Sequence, residues 1–389
     1  MGEYEIPAYA KLADGISGKD ILDAITKSGY PFQAEVADLL RAQLSSTGRA
    51  QIQEEWAYID SDTGASRSLD VFAEIPLWDS DSKDPNRGKV YPYLNLLIEC
   101  KQSDLPYIFF LRGDPPSGEI NFPEIAGVAS TDIRLFIKER EGLASAPPQF
   151  SFNMSMHDVF ACHNLEAFQG YPFYSISLAK AMRKGSKVEL SGEETYRGLT
   201  FPLLKAADHI KAQARPIENP EIVSPRFIVC LAVIRAPLIG TYLYQGKHIM
   251  LGVPWVRACR VEPTTGGERS YQGGNVRYFD VVHSDFFSEY MEMLVESARL
   301  LAHRMLEHDG VVFSGVGLTT MEERDGVEEP DVHEKLLDLP EEYAEFLEMP
   351  VQGRITRNQE GVQLNLLPEA QDLEEGTILV MTRSRAESS

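Results

Sequence analysis

Hydrophobic residues recur along this chain with two different periods, and the change from one to the other marks its first elements. Phe32, Val36, Leu39 and Leu40 fall at helical spacing in a segment from Pro31 to about Leu44, with proline at its start. The stretch before it predicts a shorter helix from Gly18 to Ser28, stopped by Gly29. Glu35 lies three residues after Phe32 and four before Leu39, so an acid is expected at the edge of the stripe, leaning toward the core. The period then falls to two. RAQIQEEWAYIDSDTG predicts a strand ending in a turn at Asp62 to Gly64, and SLDVFAEI alternates with Leu69, Val71, Ala73 and Ile75 on one face and Asp70 on the other. In YLNLLIECKQSD, Leu94, Leu96, Ile98 and Cys100 share a face, opposite Asn95, Leu97, Glu99 and Lys101.

Beyond LPYIFFL, proline and glycine punctuate the chain as far as Gly170, and no regular element is expected there. A helix follows at about Thr195 to Ala214, then strands at RFIVCLAVI, IMLGVPWVRACRVE and VRYFDVVH. A long amphipathic helix starts from a Ser284 cap, with Phe287, Tyr290, Met291, Leu294, Ala298, Leu301 and Met305 on one face. Helices flanking a mixed sheet make an α/β layer architecture, expected as one domain over residues 1–310. From about Gly310 the pattern weakens, and residues 321–350 hold 12 acids against 2 bases. Residues 311–389 are therefore expected to form an acidic C-terminal extension, with a short helix near Pro340 to Leu347.

Composition narrows the class. The longest apolar run, FIVCLAVI, is far short of the roughly 20 residues of a membrane helix. The opening residues show neither the basic nor the apolar region of an export signal, so a cytoplasmic protein with no membrane partner is expected. Its four cysteines are widely spaced with no C-x-x-C, which suits reduced thiols better than a disulfide or zinc framework. A net charge of −22 argues against a nucleic-acid partner, but its distribution does not. Residues 177–277 hold 15 Lys and Arg against 8 Asp and Glu, whereas residues 278–389 hold 8 against 25. Within the basic stretch, Lys180, Arg183, Lys184 and Lys187 cluster with helix-like spacing and are candidates for contacting a nucleic-acid backbone.

Glu99 and Lys101 pose the main chemical question, because they end an apolar strand. Burying charge without a partner is costly, so the pair must be solvated, mutually satisfied or holding something. A second acid-x-Lys triplet, Asp81-Ser82-Lys83, lies in a polar loop where solvation suffices. Around the first, an acid stands on the preceding strand, Asp70, and another on the preceding helix, Glu35. This constellation resembles the PD-(D/E)xK nuclease superfamily, by motif over Pro31 to Leu111 and by element order as far as Glu307. Leu69 stands where that family's pattern has proline. The resemblance implies a restriction-endonuclease-like fold: a helix, a three-stranded antiparallel meander, then a helix and further strands. It also implies that acid, acid and lysine meet where two adjacent strands diverge, with Glu35 and Gln102 as additional site positions.

Phosphodiester hydrolysis needs an activated water and a cation facing the phosphorus oxygens, and Mg²⁺ held by one or two carboxylates supplies both. Asp70 and Glu99 would be those carboxylates and the Cys100 carbonyl a third ligand, with Mn²⁺ as an alternative ion. Lys101 would orient or deprotonate the water and stabilise the transition state. The expected function is thus a Mg²⁺-dependent nuclease acting on DNA, a bacterial restriction or anti-phage effector by analogy, with a regulatory protein partner and self-association both compatible with it. The alternative is a non-catalytic interaction protein on a nuclease-like fold, or an acidic DNA mimic, which the net charge favours.

Overall fold

The computed structural model describes residues 10–45, 49–78, 90–113, 121–138, 151–169, 174–214, 222–262, 275–324, 327–331, 336–338, 353–354 and 378–380. Its helices are α1 (Gly18–Lys27), α2 (Tyr30–Leu44), α3 (Met156–Val159), α4 (Glu166–Gln169), α5 (Gly192–Thr195), α6 (Phe201–Gln213), α7 (Phe287–Glu307) and α8 (Asp309–Ser314). The first strands are β1 (Gln51–Ile59), β2 (Ser66–Pro76), β3 (Tyr93–Gln102), β4 (Tyr107–Arg112), β5 (Glu124–Ala126), β6 (Asp132–Lys138) and β7 (Ser151–Ser155). Next come β8 (Tyr174–Lys184), β9 (Lys187–Ser191), β10 (Arg226–Arg235), β11 (Leu238–Tyr244), β12 (Lys247–Gly252), β13 (Trp255–Glu262) and β14 (Asn275–His283). The last are β15 (Val316–Arg324), β16 (Val327–Asp331), β17 (Leu337–Asp338), β18 (Gly353–Arg354) and β19 (Ile378–Val380).

The larger, mixed sheet runs β1-β2-β3-β10-β14-β13-β8-β4-β11-β12-β19, with β5 on β10 and β9 on β8. Its axis is β10, which pairs parallel with β3 over ten residues, Arg226 opposite Tyr93 through Arg235 opposite Gln102. Every residue from Phe227 to Ile234 is buried, which requires cover on both faces of the sheet. One cover is α2 and α7. Phe32, Val36, Ala37, Leu40, Phe287, Tyr290, Leu294 and Leu301 join Val229, Leu231 and Val233 in a single core. The other is α6, whose Leu203, Ala206, Ala207 and Ile210 meet Ile228, Cys230, Ala232 and Ile234. A smaller sheet, β16-β15-β6-β7-β18 with β17 on β15, adds Ile133, Leu135 and Phe152 to the α2–α7 core. The architecture is a large mixed sheet flanked by helices, in agreement with the α/β class expected from the periodicity.

Several local expectations are corrected. The span beyond Leu111, expected to lack regular elements, contains β5 to β7, α3 and α4; most of these are too short to establish a period in sequence. The buried stripe of α2 runs Phe32, Gln33, Val36, Ala37, Leu40 and Leu44, leaving Leu39 exposed and Glu35 turned to solvent. Lys180, Arg183, Lys184 and Lys187 lie on the β8–β9 hairpin rather than a helix, turning at Gly185 with its φ of +63°. Helix α7 is preceded by a 3-10 turn over Ser284–Phe286 whose cap is His283, not Ser284. Beyond residue 310 the chain continues the fold: Val311 and Val312 are buried, β15 pairs parallel with β6, and β19 with β12. Pro340 to Leu347 lies outside the described residues.

One buried ion pair ties these layers together. Arg257 on β13, fully buried, holds both Asp280 carboxylate oxygens on β14 at 2.8 Å, and donates to the carbonyls of Phe168 at 2.7 Å and Ala167 at 2.6 Å. Tyr290 of α7 donates to Asp280 at 2.6 Å, and the guanidinium lies 3.6 Å from the Phe122 ring centroid. With all its neighbours arranged to accept, this Arg is stably charged in a dry site. Arg257→Ala is expected to destabilise the protein by about 3–5 kcal/mol by leaving Asp280 buried and unpaired, and Tyr290→Phe by about 1–2 kcal/mol, measured by denaturant unfolding.

Candidate functional site

The β2–β3 ladder runs from Pro76 opposite Tyr93 to Val71 opposite Ile98 and then ends. Asp70 and Glu99 are the next positions, where β2 leaves while β3 continues beside β10 to Gln102. Asp70 bridges the gap with its side chain: Oδ2 accepts the Cys100 main-chain N–H at 2.6 Å, in place of a ladder bond. β2 also changes face here. Val71, Ala73 and Ile75 pack in the α2–α7 core, but Leu69 packs in the α6 core, so these four residues do not share one face as their alternation suggested. β1 changes face at the facing position. Ile52 packs with the first core and Trp56 and Tyr58 with the second, and between them Glu55 adopts a left-handed backbone with φ of +49°. A non-glycine residue in that region costs about 1–2 kcal/mol, which the flanking pairs of Glu54 with Val71 and Trp56 with Leu69 hold in place.

Three predicted residues converge at this point. Lys101 Nζ lies 2.6 Å from Glu99 Oε2 and 3.8 Å from Asp70 Oδ2. Glu99 is only 4% exposed, because it points into the α6 side of a strand covered on both faces. Burial pushes its carboxyl up to about 7; the Lys101 charge opposes that rise, and the charges of Asp70 and Glu55 add to it. Burial disfavours the Lys101 ammonium as well, but Glu99 and Asp70 outweigh it and hold Lys101 above its ordinary value. The ammonium thus serves two carboxylates at once. Cys100 packs its side chain against the opposite core, and burial pushes its thiol well up, so this residue can offer the site only its main chain.

Glu35 and Gln102 are placed around this centre, with no bond to its three charges. Arg235, the register partner of Gln102, holds Glu35 at 2.6 Å and stacks 4.2 Å from the Phe32 ring centroid. Gln102 donates at 2.8 Å to the Thr26 carbonyl, anchoring the end of α1. From α2 it is Gln33 that reaches the centre, donating at 3.0 Å to the Asp70 carbonyl. A glutamine inside an apolar helix stripe was the sequence signal for it. Among the basic residues, Lys180 is opposite Tyr107 and lies 5.9 Å from its ring centroid, and Tyr107 itself feels the Lys101 charge. Lys184 is paired to Glu189 at 3.1 Å, while Arg183 and Lys187 form no ion pair among the described residues.

The donor set is hard: two carboxylates, a main-chain carbonyl, and Lys101 already occupying a cationic position between them. No three Asp, Glu, His or Cys side chains are grouped to hold a metal among the described residues. Two carboxylates completed by a carbonyl and water suit a magnesium-like ion, which keeps several waters, rather than an all-protein cage. No model of a known protein family matches the chain, and neither a curated protein nor a solved structure does.

The Glu99 shift fixes a pH dependence. An acid whose native pKa lies above its unfolded value binds its proton first in the folded state, so stability falls as pH rises from 4.5 through about 7. A shift of that size corresponds to about 3 kcal/mol. In chelator, the stability of Glu99→Gln relative to wild type should therefore improve by about 3 kcal/mol between pH 4.5 and pH 8, read from urea midpoints. A flat difference across that range would mean Glu99 is ionised throughout.

Proposed function

We propose that this protein is a divalent-metal-dependent nuclease of the PD-(D/E)xK class that hydrolyses DNA, on a restriction-endonuclease-like core of α2, β1, β2, β3, α6 and β10. The carrying observation is the meeting of Asp70, Glu99 and Lys101 where β2 parts from β3, with one acid kept dry and a single ammonium shared by both. The order of helix, antiparallel meander, helix and strand supports the same reading, with β4 to β9 inserted before α6. Restriction or defence against phage is the role this class implies, with DNA as partner and a regulatory protein or second copy as further candidates.

When bound, Mg²⁺ or Mn²⁺ supplies positive charge to the phosphorus oxygens and makes an attacking water acidic. Asp70, Glu99 and the Cys100 carbonyl are the groups that would hold it. Asp70 is aimed by two bonds, one to the Cys100 N–H and one from Gln33 to its carbonyl. Lys101, on a flexible stem and partly exposed, can turn its ammonium from Glu99 toward the scissile phosphate, where it stabilises the charge that develops there. Lys180 on β8, opposite Tyr107, is the basic residue that would take a neighbouring phosphate of the same strand.

The test is cleavage of plasmid DNA with Mg²⁺ or Mn²⁺. Asp70→Asn, which keeps an acceptor for the Cys100 N–H, and Lys101→Met should each lower the rate roughly 100-fold or more with the melting temperature little changed. Gln33→Leu should cost roughly tenfold, since it frees the Asp70 main chain without touching the charges. Wild-type protein that leaves DNA intact at every divalent ion and pH tried would make the cluster a structural one.

A further inference from the structure

Strands β8 and β13 are parallel neighbours for only two pairs, Tyr174 with Arg257 and Ser175 with Ala258. Past that point β8 follows β4 and β9, β13 follows β14, and the two no longer pair with each other. The opening between them is a cavity of about 380 Å³, roofed by α5 and the turn that follows it. That size lies within the range of small-molecule sites. Its floor is apolar, made by Leu178 and Phe279 of the α6 core, and Ile176 and Ser177 form the rim on β8.

Two features give this cavity chemistry. Arg260, at its edge, stacks 4.6 Å from the Tyr196 ring centroid and forms no ion pair among the described residues. The nearest acid in the lining, Glu193, is already engaged by Arg197 at 2.7 Å. The guanidinium is therefore a free fork of donors, shaped for a phosphate and held in place by the ring beneath it. The roof is also unusual: Tyr196–Thr200 is a π-helical turn between α5 and α6, which widens the helix just over the cavity. Turns of this kind are rare and concentrate at functional sites.

We propose that the cavity between β8 and β13 binds a nucleoside phosphate, with the base on the apolar floor and the phosphate on Arg260. Ser177 on the rim, and the parted main-chain edges of the two strands, supply hydrogen-bonding groups for the base edge. The same chemistry has two sources. One is a free nucleotide. The other is a nucleotide within a single strand that continues past Lys180, two residues from Leu178 on β8, toward Asp70 and Glu99; this second source rests on the nuclease reading, and the first does not.

Full-length protein in chelator is titrated with the four nucleoside 5′-monophosphates by calorimetry, and with a labelled single-stranded oligonucleotide by anisotropy. Wild type should bind at least one of these saturably. Arg260→Gln should weaken that binding at least about tenfold, and Ile176→Trp, which fills the cavity from an exposed position, should do the same. Loss confined to the mononucleotides assigns the site to a free nucleotide, and loss on the oligonucleotide assigns it to the strand. Absence of binding to both ligands, or wild-type affinity in both cavity variants, overturns the proposal. Intact nucleotide binding in a protein that cleaves no DNA would reject the nuclease reading and leave the cavity's assignment standing.

Discussion

The parallel pairing of β3 with β10 is the constraint on which the rest depends. Ten consecutive register pairs place both strands at the middle of the sheet, and α2 with α7 on one face and α6 on the other leave neither strand a wet side. A side chain on β3 must therefore be apolar, paired, or close to the strand's end. Glu99 meets the second and third conditions at once, which is why it is dry and yet adjoins partly exposed groups. The departure of β2 at Val71 makes the opening, and Asp70 replaces the lost ladder bond with its carboxylate. A backbone discontinuity and a charged centre are thus the same event.

Comparison of the buried charges shows what sets this centre apart. Arg257 is matched by Asp280 and two carbonyls. Arg277 is likewise enclosed, holding Glu124 at 2.8 Å and Asp208 at 2.8 Å, while Lys211 balances Glu124 at 2.7 Å. Burial works against the Glu124 carboxylate, yet Arg277 and Lys211 outweigh it and hold its pKa below the ordinary value. Glu99 moves the other way, up to about 7, because burial disfavours its charge and the one ammonium it shares with Asp70 does not outweigh that. The first two clusters are complete as they stand. The third sets two acids around one ammonium and has room for further positive charge, which is what the proposed metal site requires.

Residues spaced along the chain carried part of this outcome on their own. Period-two alternation placed Glu99 and Lys101 side by side at the end of a buried strand, with Asp70 on the strand before, and helical spacing located α1, α2 and α7 near their observed limits. Those are properties of neighbours in sequence, and local sterics are enough to set them. The face change at Asp70 lay beyond their reach: Leu69, Val71, Ala73 and Ile75 alternate without interruption, and only the left-handed turn of Glu55 on the facing strand shows that the sheet reverses there. The choice of Gln33 over Glu35 as the helix's contribution depended on how α2 is rotated against the sheet, which packing decides. Lys180 has the same spacing from Arg183 and Lys184 whether it sits on a helix or a strand; pairing with β4 and β9, chosen among distant segments, made it a strand and set it beside Tyr107. Side-chain order along an element is written in the chain itself, whereas which faces meet, and which charges are left short of a partner, exist only once elements far apart in sequence have closed on one another.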